Sequence, residues 1–234
     1  MSSAIIYEGP SVLDGEMIVA IATEGTTNRK TGSMVQVWIL RADQAPVDAI
    51  RSGADASVCG ECPLRAQVPG TLQGRTCYVT VGQAPQGIWR AYKAGSYWSV
   101  PYIKLAAYGA GKNLRLGAYG DPAAVPHRVW SLLLTHAAGW TGYTHQWSHP
   151  KFDHRLLGYV MASIEGDRQA PEWARHFRVR LKGAPLLPSE VDCPNTTRGV
   201  QCIDCQLCQG ASKQGRSVSI EAHGAGANNL LRIM

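Results

Sequence analysis

Phenylalanine and charged side chains are scarce in this sequence: 2 of its 234 residues are Phe, and Asp, Glu, Lys and Arg together make up 17%. Apolar runs near the ~18 residues of a membrane-spanning helix are also missing. Polar residues interrupt the start of the chain, where a secretory leader would be apolar, namely at Ser2, Ser3, Glu8 and Asp14. We therefore expect a cytoplasmic protein with no membrane segment.

Two further patterns are missing. No G-x-G-x-x-G fingerprint opens a helix, which argues against an open dinucleotide-binding sheet. The basic residues give a net charge of +6 but are scattered along the chain, not gathered in a block. This charge permits nucleic acid as a partner, and it is equally explained by a solvated surface.

Cysteine, in contrast, is concentrated. Four of the seven cysteines fall within sixteen residues, at the spacing C-x8-C-x2-C-x2-C: Cys193, Cys202, Cys205 and Cys208. Thiolates two residues apart turn toward one centre, so four of them complete a tetrahedral zinc site or fill the corners of a [4Fe–4S] cluster. The alternatives are disulfides or unrelated buried thiols, and a reducing cytoplasm disfavours disulfides.

A second group has the spacing C-x2-C-x14-C and consists of Cys59, Cys62 and Cys77. It supplies three thiolates where a closed site needs four. Either a His, Asp, Glu or water completes this centre, or one coordination position is open for a ligand.

Strand-like and helix-like segments alternate along the chain. The strands are predicted at Met17–Thr23, Met34–Leu40, Arg75–Val81, Leu114–Tyr119, Trp140–Gln146, Leu156–Ile164, Phe177–Leu181 and Val218–Ala222, and the clearest helices at Gln86–Lys93 and Pro126–Ala138. Such alternation is typical of a parallel α/β sheet with right-handed crossovers. We expect one domain over 1–234, a partial or distorted (β/α) barrel with cysteine-rich metal-binding loops at 54–77 and 190–212.

Polar residues follow several of these strands, where a barrel would gather them at one mouth. The main candidates for binding a cofactor, a small molecule or an anionic ligand there are Asp121, His145 and Gln146. His145 also stands four residues before His149, a helical metal spacing, but Pro150 disfavours a helix at that point.

Arg178 and Arg180 share one face of a predicted strand with Lys182. A row of cations is costly to bury without anions, so these side chains line a wet lumen or bind a ligand carboxylate or phosphate. The alternative is an edge strand whose charged face lies in solvent.

The chain resembles an uncharacterised protein family encoded by bacteriophages and prophages, over about Met34 to His223. The likeness rests on Cys59-Gly-Glu-Cys62-Pro, Cys77-Tyr-Val, Leu114-Arg-Leu-Gly-Ala-Tyr-Gly-Asp-Pro122, Trp140-Thr-Gly-Tyr-Thr-His-Gln-Trp147, Val160-Met-Ala-Ser163 and the cysteine run from Cys193 to Gly210. It implies a phage-encoded protein working in the host-cell cytoplasm, and it implies no particular activity.

A second likeness is to radical-SAM enzymes, which combine a (β/α) barrel with a three-cysteine [4Fe–4S] cluster whose fourth iron binds S-adenosylmethionine. The likeness lies in the combination of a barrel with three cluster-binding cysteines and does not extend to the cysteine spacing. The spacing here is C-x2-C-x14-C, whereas the family has a C-x3-C-x2-C loop. S-adenosylmethionine is the cofactor that this likeness implies.

The dense triple Cys202, Cys205 and Cys208, together with a Cys-Pro at Cys193, is similar to the ferredoxin pattern in reversed order. We therefore expect one or two [4Fe–4S] clusters, with zinc as the alternative. Two functions follow: an iron–sulfur enzyme of redox or radical-SAM-like type, or a non-catalytic metal-stapled protein that binds nucleic acid or a host protein.

Overall fold

The structure, a computed structural model, describes residues 3–25, 28–66, 68, 71, 74–166, 174–211 and 214–223. Its strands are β1 (Ala4–Pro10), β2 (Met17–Thr23), β3 (Val35–Arg41), β4 (Trp98–Ser99), β5 (Asn113–Tyr119), β6 (Gly139–Thr144), β7 (Met161–Glu165), β8 (His176–Arg180), β9 (Glu190–Asp192) and β10 (Ser217–Glu221). Its α-helices are α1 (Pro46–Ser52), α2 (Ala56–Cys59), α3 (Ala84–Lys93), α4 (Leu105–Gly109), α5 (His127–Leu133), α6 (Pro194–Arg198) and α7 (Cys202–Cys205). In these described ranges, no helix is both long and apolar enough to span a lipid bilayer.

The strands form one mixed sheet in the order β4-β1-β2-β3-β5-β6-β7-β8-β10-β9. β2 pairs antiparallel with β1 and β3, and the remaining pairs are parallel. The predicted α/β class with a mainly parallel sheet is confirmed. The pairings of the described strands are linear, with β4 and β9 at the two ends, and they do not show closure into a barrel.

One face of the parallel half of the sheet carries polar and aromatic side chains. Residues paired in register project from the same face, as do residues two apart on a strand. The pairs Arg115 with Thr141, Tyr143 with Met161, Ser163 with Phe177, and Phe177 with Val218 therefore define one continuous face. We call it the cysteine face: Arg115, Thr141, Tyr143, Met161, Ser163, Glu165, Phe177 and Val218.

At β5 the opposite face is apolar. Leu114 and Leu116 of β5 are buried there in the same core cluster as Trp130 and Leu133 of α5. Pro126 precedes α5 with an extended backbone, and the indole Nε1 of Trp130 donates a 2.9 Å hydrogen bond to the carbonyl of Pro122. This packing leaves the other side of β5 and β6 to the cysteine-rich segments.

The arginines of β8 have carboxylates of this chain as partners. Arg178 is 1% exposed and donates to both oxygens of Glu190 at 2.7 Å, while Arg180 donates to Asp192 at 2.6 Å and to Glu221 at 2.8 Å. These carboxylates balance the charges of Arg178 and Arg180 within the chain, and the binding of a ligand by these two arginines stays a prediction. The edge-strand alternative is wrong, since β8 lies between β7 and β10.

Local predictions met three outcomes. The strands at Met17–Thr23 and Leu114–Tyr119 and the helix at Gln86–Lys93 are confirmed, within a residue or two at each end. The strand predicted at Arg75–Val81 is wrong, because the Arg75 guanidinium donates to the carbonyls of Cys77 and Val79 where a neighbouring strand would bond. A short 3-10 helix, His154–Gly158, replaces the first half of the strand predicted at Leu156–Ile164.

Candidate metal centres

The four-cysteine centre is Cys193, Cys202, Cys205 and Cys208, and its first ligand is placed by the sheet. The amide of Cys193 continues the β9–β10 ladder with a 2.8 Å hydrogen bond to the carbonyl of Ser219. Pro194 then begins α6, and Gly199 ends that helix in the left-handed conformation (φ 69°), which glycine adopts without strain. The chain turns back at this point toward the three remaining cysteines.

The triple Cys202, Cys205 and Cys208 is shaped by one helical turn and a left-handed stop. Cys202 and Cys205 bound α7, and Gln206 ends it with φ 51°, the only positive φ of a non-glycine among the described residues. The free-energy cost of this left-handed conformation is offset by the Gln206 side chain, which donates a 3.0 Å hydrogen bond to Asn113 Oδ1 at the start of β5. The triple therefore lies at the amino end of β5 and β6, on the cysteine face.

All four of these cysteines line one small cavity, of about 20 Å³, together with Thr141, Tyr143 and Val218 of the cysteine face. A space of this size holds roughly one water-sized particle. The cavity is therefore closer in size to a single metal ion than to a cubane cluster.

Tyr143 and Arg115 lie beside the sulfur atoms. Burial raises the pKa of the Cys208 thiol to about 12, the Tyr143 hydrogen bond lowers it, and the charges of the other three cysteines raise it. Burial also lowers the pKa of Arg115, but nearby Tyr78, Tyr143 and Cys202 raise it overall. These groups supply a hydrogen bond and a cation to thiolate ligands.

The three-cysteine centre is Cys59, Cys62 and Cys77, and Arg65 holds its loop. The Arg65 guanidinium donates to the carbonyls of Gly60 and Gly53 at 2.8 and 3.0 Å and to Asp55 Oδ1 at 2.6 Å. The amide of Cys62 donates to the carbonyl of Cys59 at 3.2 Å, and that of Cys77 to Leu64 at 3.0 Å. These bonds bring the distant Cys77 to the C-x2-C turn.

Polar residues at the carboxyl ends of β6 and β7 complete the surroundings of this centre. His145 Nε2 lies 2.5 Å from Glu165 Oε1, and the His145 side chain is hydrogen-bonded to Cys62. Gln146 donates to the Cys59 carbonyl at 3.0 Å and accepts from the Glu61 amide at 3.2 Å. The two centres thus lie at opposite ends of the cysteine face.

Gly60 is required by this close packing. A Cβ at Gly60 would lie 2.3 Å from Gln146 Oε1, and its φ is 55° with ψ −134°. Any side chain would therefore push Gln146 away and strain the backbone.

The pKa shifts around the three-cysteine centre follow from burial and charge. Burial raises the pKa of the Cys59 thiol well above its usual value, and the charges of Cys62, Asp55 and Cys77 raise it further. Burial alone would lower the pKa of His145, but the charge and hydrogen bond of Cys62 and those of Glu165 together raise it well above its usual value. A metal cation here would displace these protons, so its binding would depend on pH.

In the ranges that the structure describes, no group of three or more His, Cys, Asp and Glu side chains is already arranged to hold a metal ion. The donor chemistry still fits a soft metal, because four thiols line one cavity and three more lie together beside an imidazole. The seven cysteines are all free thiols.

The strand-end residues predicted to bind a ligand lie at the three-cysteine centre, but their polar atoms are already engaged. Asp121 Oδ1 accepts from the Ala123 amide at 2.9 Å, and Oδ2 accepts from the His145 amide at 2.8 Å. These bonds of Asp121 and Gln146 position the loops of the centre, and the binding of a ligand by these residues stays a prediction. Sequence reasoning missed Glu165 and Tyr143 as members of the centres.

A cleft of about 360 Å³ lies on the far side of Gln146. Its wall combines apolar residues with more cationic than anionic side chains: Val12, Leu13, Ala123, Val125, Pro126, His127, Arg128, His149, Lys151, Phe152, Asp153, Arg155 and Leu156. Asp153 is paired with Arg155 at 2.7 Å. The cleft is suited to a small anionic molecule with an apolar body.

The two centres and the cleft can also be compared with known proteins. The four-cysteine centre combines free thiols, a cavity and a tyrosine hydrogen bond, and the three-cysteine centre combines free thiols, an imidazole and a carboxylate. Searches against protein-family models, curated proteins and solved structures found no match to this chain.

Proposed function

We propose that this chain is a phage-encoded iron–sulfur protein that carries electrons, with a [4Fe–4S] cluster held by Cys193, Cys202, Cys205 and Cys208. The observation that supports metal binding is that all four cysteines line one cavity. The dense spacing of the last three matches the way ferredoxin loops present thiolates to separate iron atoms. The three-cysteine centre is a second metal site in this proposal.

A bound cluster would supply one-electron chemistry at this end of the cysteine face. The chain's own residues hold and tune it: Tyr143 donates a hydrogen bond to the Cys208 sulfur, and Arg115 places a cation near Cys202. Both interactions favour the more negative, reduced form. Such free thiols suit the reducing cytoplasm of a host cell.

Anaerobic purification tests this proposal. We expect bound iron and inorganic sulfide, a broad charge-transfer absorbance that dithionite bleaches, and loss of both in a Cys205→Ser variant. Protein that binds neither iron nor sulfide after reconstitution would contradict it.

The cleft beside Gln146 extends the proposal to a redox enzyme acting on a small anionic substrate. Among the residues that the structure describes, Arg128 and Lys151 at its wall have no carboxylate partner, whereas Arg155 is held by Asp153. Isothermal titration with small aromatic carboxylates and phosphates tests it. Binding that weakens in Lys151→Gln supports the cleft as the site, and equal binding by that variant contradicts it.

The second candidate function is a zinc-stapled protein that binds single-stranded nucleic acid. The ion-sized cavity favours zinc. A surface at β4 and the residues after it favours nucleic acid, since Trp98, Tyr102 and Ile103 are exposed by 43%, 47% and 87%, and the Arg128 guanidinium lies 5.5 Å from the Tyr102 ring centroid. Exposed rings beside cations are the platforms on which unpaired bases stack.

Fluorescence anisotropy with a labelled oligonucleotide separates the two functions. The zinc-stapled protein would bind in a salt-dependent way, and Tyr102→Ala would weaken the binding without changing metal content. Zinc in place of iron and sulfide, together with such binding, would select this second function.

A further inference from the structure

We propose that His145 is the fourth protein ligand of the three-cysteine centre, and that Glu165 positions the His145 ring. The centre is then a closed Cys₃His site for a soft cation, zinc or an iron corner of a cluster. This inference rests on the proposed function only in requiring that the cysteine groups bind metal. It does not depend on which metal the four-cysteine centre holds.

The first argument is the direction of the imidazole ring. His145 Nε2 and Glu165 Oε1 are 2.5 Å apart, and Glu165 is 1% exposed. A buried carboxylate at this distance accepts the Nε2 proton, which leaves Nδ1 as the nitrogen with a free electron pair. A carboxylate that orients a ligand histidine in this way is a recurrent feature of metal sites.

The second argument is that the chain places His145 beside the thiols. The next residue, Gln146, donates a hydrogen bond to the Cys59 carbonyl at 3.0 Å, and Cys62 and Cys77 lie near enough to His145 to interact with it electrostatically. A donor set of three thiols and one imidazole is a standard tetrahedral composition for structural zinc.

The third argument is that the backbone fixes His145 at this position. The Asp121 carboxylate accepts a 2.8 Å hydrogen bond from the His145 amide. The side chain of the next residue, Gln146, donates a hydrogen bond to the Cys59 carbonyl. The end of β6 is thus bonded to both neighbouring segments of the centre. The histidine is carried on a rigid strand end, whereas the cysteines lie on turns.

The nearby carboxylate Asp55 is a weaker candidate for the same role. Its Oδ1 accepts from the Arg65 guanidinium at 2.6 Å, and Asp55 is 4% exposed. Moving Asp55 onto a metal would break this buried ion pair and leave Arg65 without it. His145 needs no such rearrangement.

A closed site has a functional consequence. S-adenosylmethionine binds an iron that lacks a protein ligand, and His145 would fill that position. The three-cysteine centre would then stabilise the fold and the neighbouring cleft in place of reacting with substrate.

The test compares His145→Ala with His145→Cys in the full chain, loaded with zinc under anaerobic conditions. We expect about two zinc ions per chain for the unchanged protein and for His145→Cys, and about one for His145→Ala. X-ray absorption should show nitrogen scattering in the unchanged protein and only sulfur in His145→Cys. Full zinc content in His145→Ala, or the same nitrogen scattering in His145→Cys, would overturn the assignment.

Glu165→Gln tests the positioning role. We expect the affinity of this centre for zinc to fall by about 10- to 100-fold, measured by competition with a chelator, while the circular dichroism stays unchanged. Unchanged affinity would show that Glu165 does not position the ligand.

Cys205→Ser separates this inference from the proposed function. If His145→Ala loses one zinc ion and Cys205→Ser loses none, the four-cysteine centre fails and the Cys₃His centre stands. The reverse result removes only the Cys₃His centre. A chain that takes up neither zinc nor iron would overturn both.

Discussion

Glu190→Gln should destabilise the protein strongly, because Glu190 is the hub of a buried ionic network. Its carboxylate accepts four hydrogen bonds, from His176 at 2.9 Å, twice from Arg178 at 2.7 Å, and from the Leu187 amide at 2.8 Å. It is 0% exposed. An amide at this position would turn an N–H group toward the guanidinium and leave the charge of Arg178 uncompensated.

Removing one partner of a buried ion pair costs about 3–5 kcal/mol. For a chain of 150–250 residues each kcal/mol lowers the melting temperature by roughly 2–4 °C, so the midpoint should fall by roughly 6–20 °C. Urea denaturation followed by tryptophan fluorescence measures the free energy of unfolding. Because β9 carries the chain to Cys193, metal retention should fall as well.

Two variants control this experiment. Glu221→Gln removes a carboxylate that also pairs with an arginine, Arg180, but is 42% exposed, and its free-energy cost should be much smaller than that of Glu190→Gln. The double variant Arg178→Met with Glu190→Leu removes both charges and should recover most of the lost stability. A Glu190→Gln variant within about 1 kcal/mol of the unchanged protein would refute the reasoning.

The same network predicts a pH dependence. Burial alone would raise the pKa of Glu190, but hydrogen bonds from Arg178, the Leu187 amide and His176 hold it below its usual value. Because the folded pKa is lower than the unfolded one, this stabilisation is fully present above the unfolded pKa and is lost as the pH falls through the folded pKa. The stability gap between Glu190→Gln and the unchanged protein should therefore narrow in acid.

Three further predictions concern the centres. Cys205→Ser should lower metal content, measured by elemental analysis, and stability together, since binding energy is part of folding energy; a soluble variant with full metal content would show that Cys205 is not a ligand. Tyr143→Phe removes the hydrogen bond to Cys208 and should lower the reduction potential in a redox titration, whereas an unchanged potential would remove Tyr143 from the tuning role. Gly60→Ala should cost more in urea denaturation than Gly53→Ala, because both have positive φ but only Gly60 faces a side chain within 4 Å; equal costs would contradict the packing.

Much of the sheet was predictable because its signal is local. Alternation of apolar residues indicated the parallel strands, and the position of His145 and Gln146 after β6 placed them at a strand end. That edge is where the structure gathers polar residues around Cys59 and Cys62. The grouping of the two centres at opposite ends of one face follows from strand register, which pattern alone does not give.

The missed features depend on contacts between distant segments. Arg178 and Glu190 are twelve residues apart, and their pairing needs β9 to lie beside β10. The Arg75 bonds that keep Cys77 out of a strand are likewise invisible to periodicity. In the sequence, Glu165 is only the last residue of an apolar strand. Its contact with His145 exists because β6 lies beside that strand in the fold.

The most direct test of the central claim is quantitative iron, sulfide and zinc analysis of anaerobically purified protein, beside its Cys205→Ser variant. The account predicts about four iron and four sulfide per four-cysteine centre, lost in the variant. Iron and sulfide that persist in Cys205→Ser, or zinc without sulfide in the unchanged protein, would contradict a [4Fe–4S] cluster at Cys193, Cys202, Cys205 and Cys208.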